Sequence, residues 1–162
     1  DILSKLPEKY KLYLGGPVQS NEHKKNFELV KKKIKELNLN NRVVLRKGFI
    51  KNFDEYIKLS DVFLFPTWNE ALGTPVLEAQ ACGVPVVAYK RGGPSEIIKH
   101  GETGFLVTPD DKKNLISSTK KINEIKREKC RQWVEKNASS EIFAEKVICW
   151  LNKVIEEYKL KT

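Results

Sequence analysis

Residues 61–88 read DVFLFPTWNEALGTPVLEAQACGVPVVA and have the order strand, loop, helix, strand. The apolar run at 61–66 does not alternate with polar residues, which is typical of a strand buried on both faces of a parallel sheet. Thr74 and Pro75 begin a helix, with Thr as the cap and Pro at the first helical position, and Gly83 ends it. Residues 84–88 form a second continuous apolar run. Two buried strands joined by a helix predict a parallel βαβ unit.

The same alternation continues on both sides of this unit. The patterns predict further strands at 11–14, 42–46 and 105–107, and helices at 21–37, 53–59, 94–99 and from residue 110 onward. Alternating strands and helices with short loops predict an α/β fold: a Rossmann-like parallel sheet with helices on both faces. A chain of 162 residues has the length of one domain, and no linker divides it. We therefore expect residues 1–162 to form a single domain.

The charge of the chain is strongly positive. Thirty Lys and Arg against 21 Asp and Glu give a net charge of +9, so nucleic acid and anionic membranes are partners to consider. Only five of these cations are arginines, the residue that base and phosphate recognition favours, so we expect no nucleic-acid partner. A solvated lysine surface is the simpler interpretation. The lysines of helix 21–37 leave a second hypothesis open, a non-catalytic module that binds a nucleotide or an anionic surface.

Cysteine and histidine spacing argues against a disulfide or a metal site. Cys82, Cys130 and Cys149 are far apart in the sequence, and Cys82 and Cys149 have apolar neighbours. Buried free thiols in a reducing compartment, the cytoplasm, are therefore predicted. His23 and His100 each lack a second His or Cys at ligand spacing, so no metal is expected.

The loop at 67–73 is the candidate binding site, because parallel sheets bind ligands at the carboxyl ends of their strands. Glu70 lies in this loop, and Glu78 is expected on the first turn of the helix that follows. Free N–H groups at the helix N-terminus suit a diphosphate, and carboxylates on either side accept hydrogen bonds from sugar hydroxyls. This is the layout of a nucleotide-sugar. The simpler alternative is that Glu78 only favours the helix N-terminus and Glu70 is a surface residue.

Four motifs together carry a family resemblance. Glu70 and Glu78 form E-x7-E, which is followed at 81–88 by A-x-G-x-P-V-V-A, at 92–96 by G-G-x-x-E and at 101–107 by G-x-T-G-x-L-V. This combination closely resembles the retaining GT-B glycosyltransferases, namely the C-terminal donor-binding domain of group 1, also called family 4. The resemblance covers almost the whole chain, since residues 14–17, 43–48 and 61–66 follow the family's order and spacing.

The resemblance implies a role for each residue of the candidate site. Glu70 is the catalytic residue, which contacts hydroxyls of the transferred sugar and stabilises its reacting end, and Glu78 accepts hydrogen bonds from the ribose. The other implied substrate-binding positions are the backbone amides at Ala71, Leu72, Gly73 and Thr74, the cleft border at Gly15 and Gly16, and the base-reading backbone at Phe49 and Ile50. The family commonly has Gly-Phe-Gly after the first Glu, so Ala71-Leu72-Gly73 leaves less room near the sugar.

Two neighbouring features are given mainly structural roles. Gly92 and Gly93 are expected to form a tight turn between a strand and a helix rather than to contact the ligand. Trp68 either walls the pocket or simply packs, and both interpretations stay open.

The reaction that the resemblance implies is transfer of a hexose from a UDP-, GDP- or ADP-sugar to a hydroxyl of a glycan or a lipid-linked acceptor. The anomeric configuration is retained, no cofactor or essential metal is expected, and catalysis is mostly electrostatic. The family carries a diphosphate-binding Arg and Lys on its first loop, and the resemblance implies that this chain begins after that loop and its strand. We expect the family's N-terminal acceptor domain to be absent as well. We therefore expect weak donor binding without catalysis, a final helix that contacts the missing domain, and a cytoplasmic location, peripheral at a membrane if the acceptor is a lipid.

Overall fold

Five strands and seven α-helices alternate along residues 1–159, the part of the chain that this computed structural model describes. The strands are β1 Leu12–Gly16, β2 Val43–Lys47, β3 Phe63–Phe65, β4 Val86–Tyr89 and β5 Gly104–Val107. The helices are α1 Asn21–Glu36, α2 Phe53–Lys58, α3 Thr74–Ala81, α4 Pro94–Ile97, α5 Lys112–Lys120, α6 Arg127–Ala138 and α7 Ser140–Lys159. Short 3-10 helices span Leu3–Lys5 and Ile122–Glu124.

All the strand pairs are parallel, as the sequence predicts. In one sheet β1 pairs with β2, and in the other β4 lies between β3 and β5, with Ala88 opposite both Phe65 and Leu106. Within residues 1–159 no strand pairs with the second edge of β1 or of β3. The α/β Rossmann-like class is therefore confirmed, and its strands form two hydrogen-bonded groups, β2-β1 and β3-β4-β5.

The core lies on both faces of β4, whose four residues are all buried. Val86 packs into a cluster with Val76 of α3, whereas the next residue, Val87, packs into a cluster with Leu115 of α5. The two clusters lie on opposite sides because successive side chains of a strand point to opposite faces of the sheet. Each of these fully buried side chains contributes roughly 1.5–3 kcal/mol to folding. The sheet is thereby fixed between helical layers, and the loops at its carboxyl edge are held by a rigid base.

Arg42 holds the N-terminal segment against β2. Its Nε donates to the carbonyl of Tyr10 at 3.0 Å, and its Nη2 donates to the carbonyls of Leu3, Leu6 and Pro7 at 3.0, 3.2 and 2.9 Å. The side chains of Leu3 and Leu6 are buried in a third apolar cluster. Hydrogen bonds from a charged donor and apolar burial therefore fix the same segment.

Helix α7 buries none of its side chains against the rest of the described chain. Its apolar residues include Phe143, Trp150 and Tyr158, which are 68%, 62% and 70% exposed. Folded monomers rarely expose an apolar stripe of this extent, which marks an interaction surface. The final helix thus leaves its apolar side exposed, and its contact with a missing domain stays a prediction.

The cysteines follow the prediction only in part. All three are free thiols, as expected. Cys130 is buried in α6, and this burial raises the pKa of its thiol from 9.0 to about 11. Cys82 is half-buried, but Cys149 is exposed on α7, so the prediction that Cys149 is buried is wrong. The apolar neighbours of Cys149 belong to the helical stripe that the described chain leaves uncovered.

Candidate functional site

A sharp turn joins the loop after β3 to α3. Gly73 adopts φ 87° and ψ 37°, the left-handed conformation that other residues rarely adopt. Its carbonyl accepts the first hydrogen bond of the helix, from the N–H of Val76 at 2.8 Å. Pro75 lies in the first turn, where the missing N–H has no helical partner to lose. The backbone N–H groups that precede Val76 are thus left for partners outside the helix.

The carboxylate of Glu70 is one such partner. Its Oε1 accepts hydrogen bonds from the N–H of Leu72 at 3.2 Å and from the N–H of Gly73 at 2.9 Å. The structure therefore brings together Glu70 and two of the predicted amide positions, and the other two, Ala71 and Thr74, are exposed beside them. The sequence did not predict that the Glu70 carboxylate itself occupies these amides.

Glu78 lies further along α3 than the sequence predicts. The helix begins at Thr74 and has no acidic residue in its first turn, so placing Glu78 on that turn is wrong. The reason is that Gly73 is the N-cap, and not Thr74 as the sequence predicts, so the helix begins one residue earlier than expected. The influence of the helix dipole falls off within the first turn, so the simple alternative that Glu78 favours the helix N-terminus loses its support. The Glu78 side chain is exposed to solvent.

Gly92 and Gly93 dock against the backbone of the Glu70 loop. The N–H of Gly93 donates to the carbonyl of Glu70 at 3.2 Å. A Cβ on Gly92 would collide with the Glu70 carbonyl oxygen, and one on Gly93 would collide with the Leu72 carbonyl oxygen. The glycine pair lets the two loops approach at backbone distance, which agrees with its predicted structural role.

The predicted cleft border and base-reading positions meet at the carboxyl ends of β1 and β2. The Ile50 side chain fills the space where a Cβ of Gly15 would project, whereas nothing lies within 4 Å of a Cβ on Gly16. Phe49 is 94% exposed, just after Gly48. A shallow cavity of about 230 Å³ adjoins Gly15 and Gly16. No hydrogen bond within residues 1–159 joins this group to the Glu70 loop, which belongs to the other sheet.

Trp68 and Arg91 form a stacked pair beside the Glu70 loop. The Arg91 guanidinium lies over the Trp68 ring, 5.4 Å from its centroid. The Trp68 ring in turn contacts buried Tyr89 edge to face, with centroids 6.2 Å apart. Trp68 therefore packs against Tyr89, which is one of its two predicted roles, and it also positions the cation of Arg91. Sequence reasoning did not select Arg91, and its place directly before the glycine pair was the available signal.

Residues 1–159 show neither a cluster of metal ligands nor a helix that could cross a membrane. No group of three or more His, Cys, Asp or Glu side chains in this part of the chain is arranged to hold a metal ion. None of the described helices combines the length and the apolar character that crossing a membrane requires. Independence from metals and cofactors stays a prediction.

Comparison with protein families settles the broad identity. The family model described as "Glycosyl transferases group 1" matches residues 1–141. The chain belongs to the group 1 glycosyltransferases. The family that the E-x7-E and glycine motifs resemble is thereby confirmed.

Curated relatives of this group 1 glycosyltransferase are matched over part of their length. The chain is 38% identical over 94 residues to sucrose synthase of Solanum tuberosum, which covers 54% of this chain and 11% of that enzyme. It is 35% identical over 97 residues to the 2-deoxystreptamine N-acetyl-D-glucosaminyltransferase of Niallia circulans, covering 59% of this chain and 25% of the relative. The chain thus spans a quarter or less of these two relatives.

Solved structures share the fold of this group 1 glycosyltransferase. Anabaena HepE in complex with UDP-glucose superposes with a TM-score of 0.81 at 23% identity, over 94% of this chain and 43% of HepE. The C-terminal domain of the group 1 protein LpcC from Francisella tularensis superposes with a TM-score of 0.68 at 19% identity, over 84% of this chain and 89% of that domain. At these identities the likeness establishes the fold.

Proposed function

We propose that this chain is the donor-binding domain of a retaining glycosyltransferase that moves a hexose from a nucleoside-diphosphate sugar to a hydroxyl acceptor. One observation carries the proposal: Glu70, the N–H groups of Leu72 and Gly73, and the start of α3 converge at the carboxyl end of β3. A carboxylate beside backbone N–H groups at a helix N-terminus suits a ligand with hydroxyls next to a diphosphate.

The residues of the site then take distinct roles. Glu70 binds hydroxyls of the transferred sugar and stabilises the positive charge that develops at its reacting carbon. The amides at Ala71, Leu72, Gly73 and Thr74 hold the sugar and the diphosphate. Glu78, one turn further along α3, accepts hydrogen bonds from the ribose.

The base is assigned to the other sheet. Gly15 and Gly16 border the cleft, and the backbone at Phe49 and Ile50 reads the base. Gly16 has open space around it, which leaves room for close approach of a ligand. UDP is the nucleotide to test first, because the related fold of Anabaena HepE was solved with UDP and with UDP-glucose.

The strand order supports a further strand outside this chain. A doubly wound sheet of six strands has the spatial order 3-2-1-4-5-6. We match the groups β2-β1 and β3-β4-β5 to positions 3-2 and 4-5-6 of this order, so that position 1 falls between β1 and β3. We assign that position to a first strand that precedes Asp1, followed by the loop with the diphosphate-binding Arg and Lys.

The rest of the enzyme is assigned to an N-terminal acceptor domain. The chain spans 43% of HepE, so the related chain has ample length for one. The exposed apolar face of α7 is a surface on which such a domain would pack. Acceptor hydroxyls, and with them transfer, require that domain, so the 162-residue chain alone should bind donor without turnover.

Titration of the chain with UDP, GDP and ADP and their hexose conjugates, followed by amide chemical shifts, tests the proposal. We expect one nucleotide to shift signals at residues 70–78 and at 15–16, with weaker binding in Glu78→Ala and unchanged binding in Glu102→Ala, an exposed control. Absence of any response, both in this chain and in a form extended at its N-terminus, would refute the donor site.

The alternative, a module that docks on anionic surfaces through α1, finds less support. Three of the helix's lysines are already paired with carboxylates: Lys31 with Glu28 at 3.1 Å, Lys32 with Glu36 at 3.8 Å and Lys33 with Asp1 at 3.5 Å. Binding to anionic vesicles that falls steeply with salt, and that Glu78→Ala does not affect, would favour this alternative.

A further inference from the structure

Arg91 is placed at the edge of the sheet where the candidate site lies. It follows β4 by two positions, and Trp68 follows β3 by three. These strands are neighbours, paired in register through Phe65 and Ala88. The stack of Arg91 on Trp68 therefore bridges the loops that leave adjacent strands.

The guanidinium of Arg91 has unused hydrogen-bonding capacity. Within residues 1–159 its side chain forms no hydrogen bond or ion pair, and its guanidinium stacks on the Trp68 ring. Three of the other four arginines donate to backbone carbonyls: Arg42 to four, Arg127 to those of Lys58 and Ser60, and Arg131 to that of Ala81. Arg91 is exposed and presents its N–H donors to solvent.

The position of Arg91 is fixed before any ligand arrives. Its aromatic partner Trp68 rests on Tyr89, which is buried in the core. Gly92 and Gly93 directly follow Arg91 and lie against the carbonyls of Glu70 and Leu72. A guanidinium that is stacked on an aromatic ring loses less conformational entropy when it binds an anion, and its planar donors match phosphate oxygens.

The charge of the site calls for such a cation. Glu70 and Glu78 are both acidic, and a nucleoside diphosphate adds further negative charge beside them. An uncompensated cluster of like charges disfavours binding. Arg91 is a cation at this edge whose donors the protein leaves free.

We propose that Arg91, positioned by Trp68, is a phosphate-binding residue of this site. The inference rests on the proposed donor site for its location. The phosphate comes either from the diphosphate of the donor or from a phosphorylated acceptor, and both present the same oxygens to the guanidinium. Arg91 thereby adds a cation that the E-x7-E motif does not contain.

Binding measurements on Arg91→Gln test this role, with Lys90→Gln as a control that removes the same charge from the adjacent residue. The probes are UDP, uridine, and glucose 6-phosphate added with and without UDP. We expect Arg91→Gln to weaken UDP about tenfold or more and to leave uridine unchanged if the donor supplies the phosphate. If the acceptor supplies it, the loss falls on glucose 6-phosphate instead.

Two further variants separate positioning from charge. Arg91→Lys keeps the charge without the planar fork, and Trp68→Leu removes the stack, so both should bind the phosphate ligand with intermediate affinity. Thermal unfolding of each variant identifies any loss that is due to misfolding.

The outcomes distinguish this inference from the donor site itself. If Glu78→Ala weakens UDP binding but Arg91→Gln binds UDP as tightly as Lys90→Gln does, the role of Arg91 is overturned and the donor site is preserved. Phosphate binding that needs Arg91, but that ignores Glu78 and the nucleoside, supports Arg91 and removes the donor site. Wild-type protein that binds none of the probes, with or without an N-terminal extension, overturns both.

Discussion

Oε1 of Glu70 lies 2.9 Å from the amide nitrogen of Gly73, so the side chain proposed to bind the sugar also holds the backbone of the residue that precedes α3. The same oxygen accepts from the N–H of Leu72 at 3.2 Å. A donor that uses these two N–H groups must take them from Glu70. Glu70 is thus a stabilising residue in the ligand-free chain and a ligand-binding residue in the proposed complex.

Glu70→Ala should lower the free energy of unfolding by about 1 kcal/mol, the usual net contribution of a hydrogen bond. Glu70→Gln keeps an oxygen that accepts from both N–H groups, so its unfolding free energy should stay close to that of the wild type. Urea denaturation measures the difference, with Glu102→Ala as the control for losing an exposed carboxylate. Equal stability of Glu70→Ala and Glu102→Ala would contradict the stabilising role of these hydrogen bonds.

Gly93→Ala should destabilise the fold by about 1–3 kcal/mol, because its Cβ would meet the carbonyl oxygen of Leu72 and force the backbone apart. Gly16→Ala is the matched control, since nothing lies within 4 Å of a Cβ there. Its stability should remain within about 0.5 kcal/mol of wild type. Chemical denaturation of both variants checks this, and a Gly93→Ala protein as stable as Gly16→Ala would count against the close approach of the two loops.

Arg42→Ala should release the N-terminal segment, because four carbonyls lose a charged donor. We expect a loss of about 2 kcal/mol and faster hydrogen exchange at the N–H groups of Leu6 and Tyr10. Arg42→Lys should behave almost as poorly, since one ammonium group cannot reach carbonyls in a planar fork. Lys5→Ala, which removes an exposed cation from the same segment, is the control. Unchanged hydrogen exchange at Leu6 and Tyr10 in Arg42→Ala would contradict the role of Arg42 in holding the N-terminal segment.

The cysteines should react with a thiol reagent in a fixed order. At about pH 8, exposed Cys149 should react quickly and half-buried Cys82 more slowly, while Cys130 reacts only when the protein unfolds. Mass spectrometry of labelled peptides measures the order. Fast labelling of Cys130 in the folded chain would contradict its burial.

Burial of Cys130 also predicts a pH dependence of stability. Its pKa is raised from 9.0 to about 11, so the neutral thiol is favoured in the fold. The contribution to stability is complete below pH 9 and is lost as the pH rises through about 11. Denaturation of wild type and Cys130→Ala at several pH values between 9 and about 11 measures this contribution. The free energy of unfolding should fall less with pH in Cys130→Ala than in the wild type.

Local sequence patterns predicted most elements of the fold correctly. The strand predicted at 84–88 lies at 86–89 in the structure. The helix that Thr74 and Pro75 were predicted to begin starts at Thr74. These predictions succeed because apolar runs, Pro and Gly act on the nearest few residues. The burial of Cys149 was wrong because it depends on what packs against α7, which periodicity within the helix does not contain.

By itself, the sequence determined the alternation of strands and helices, the family, and the presence of two glutamates near one helix N-terminus. These depend on side-chain type and spacing along the chain. The tertiary structure alone decided that Glu70 accepts from the N–H groups of Leu72 and Gly73, that Gly92 and Gly93 pack against the backbone of the Glu70 loop, and that Arg91 stacks on Trp68. Each of these contacts joins residues through the turn geometry of Gly73 or across neighbouring strands. Their distances follow from strand pairing and core packing, which only the folded chain establishes.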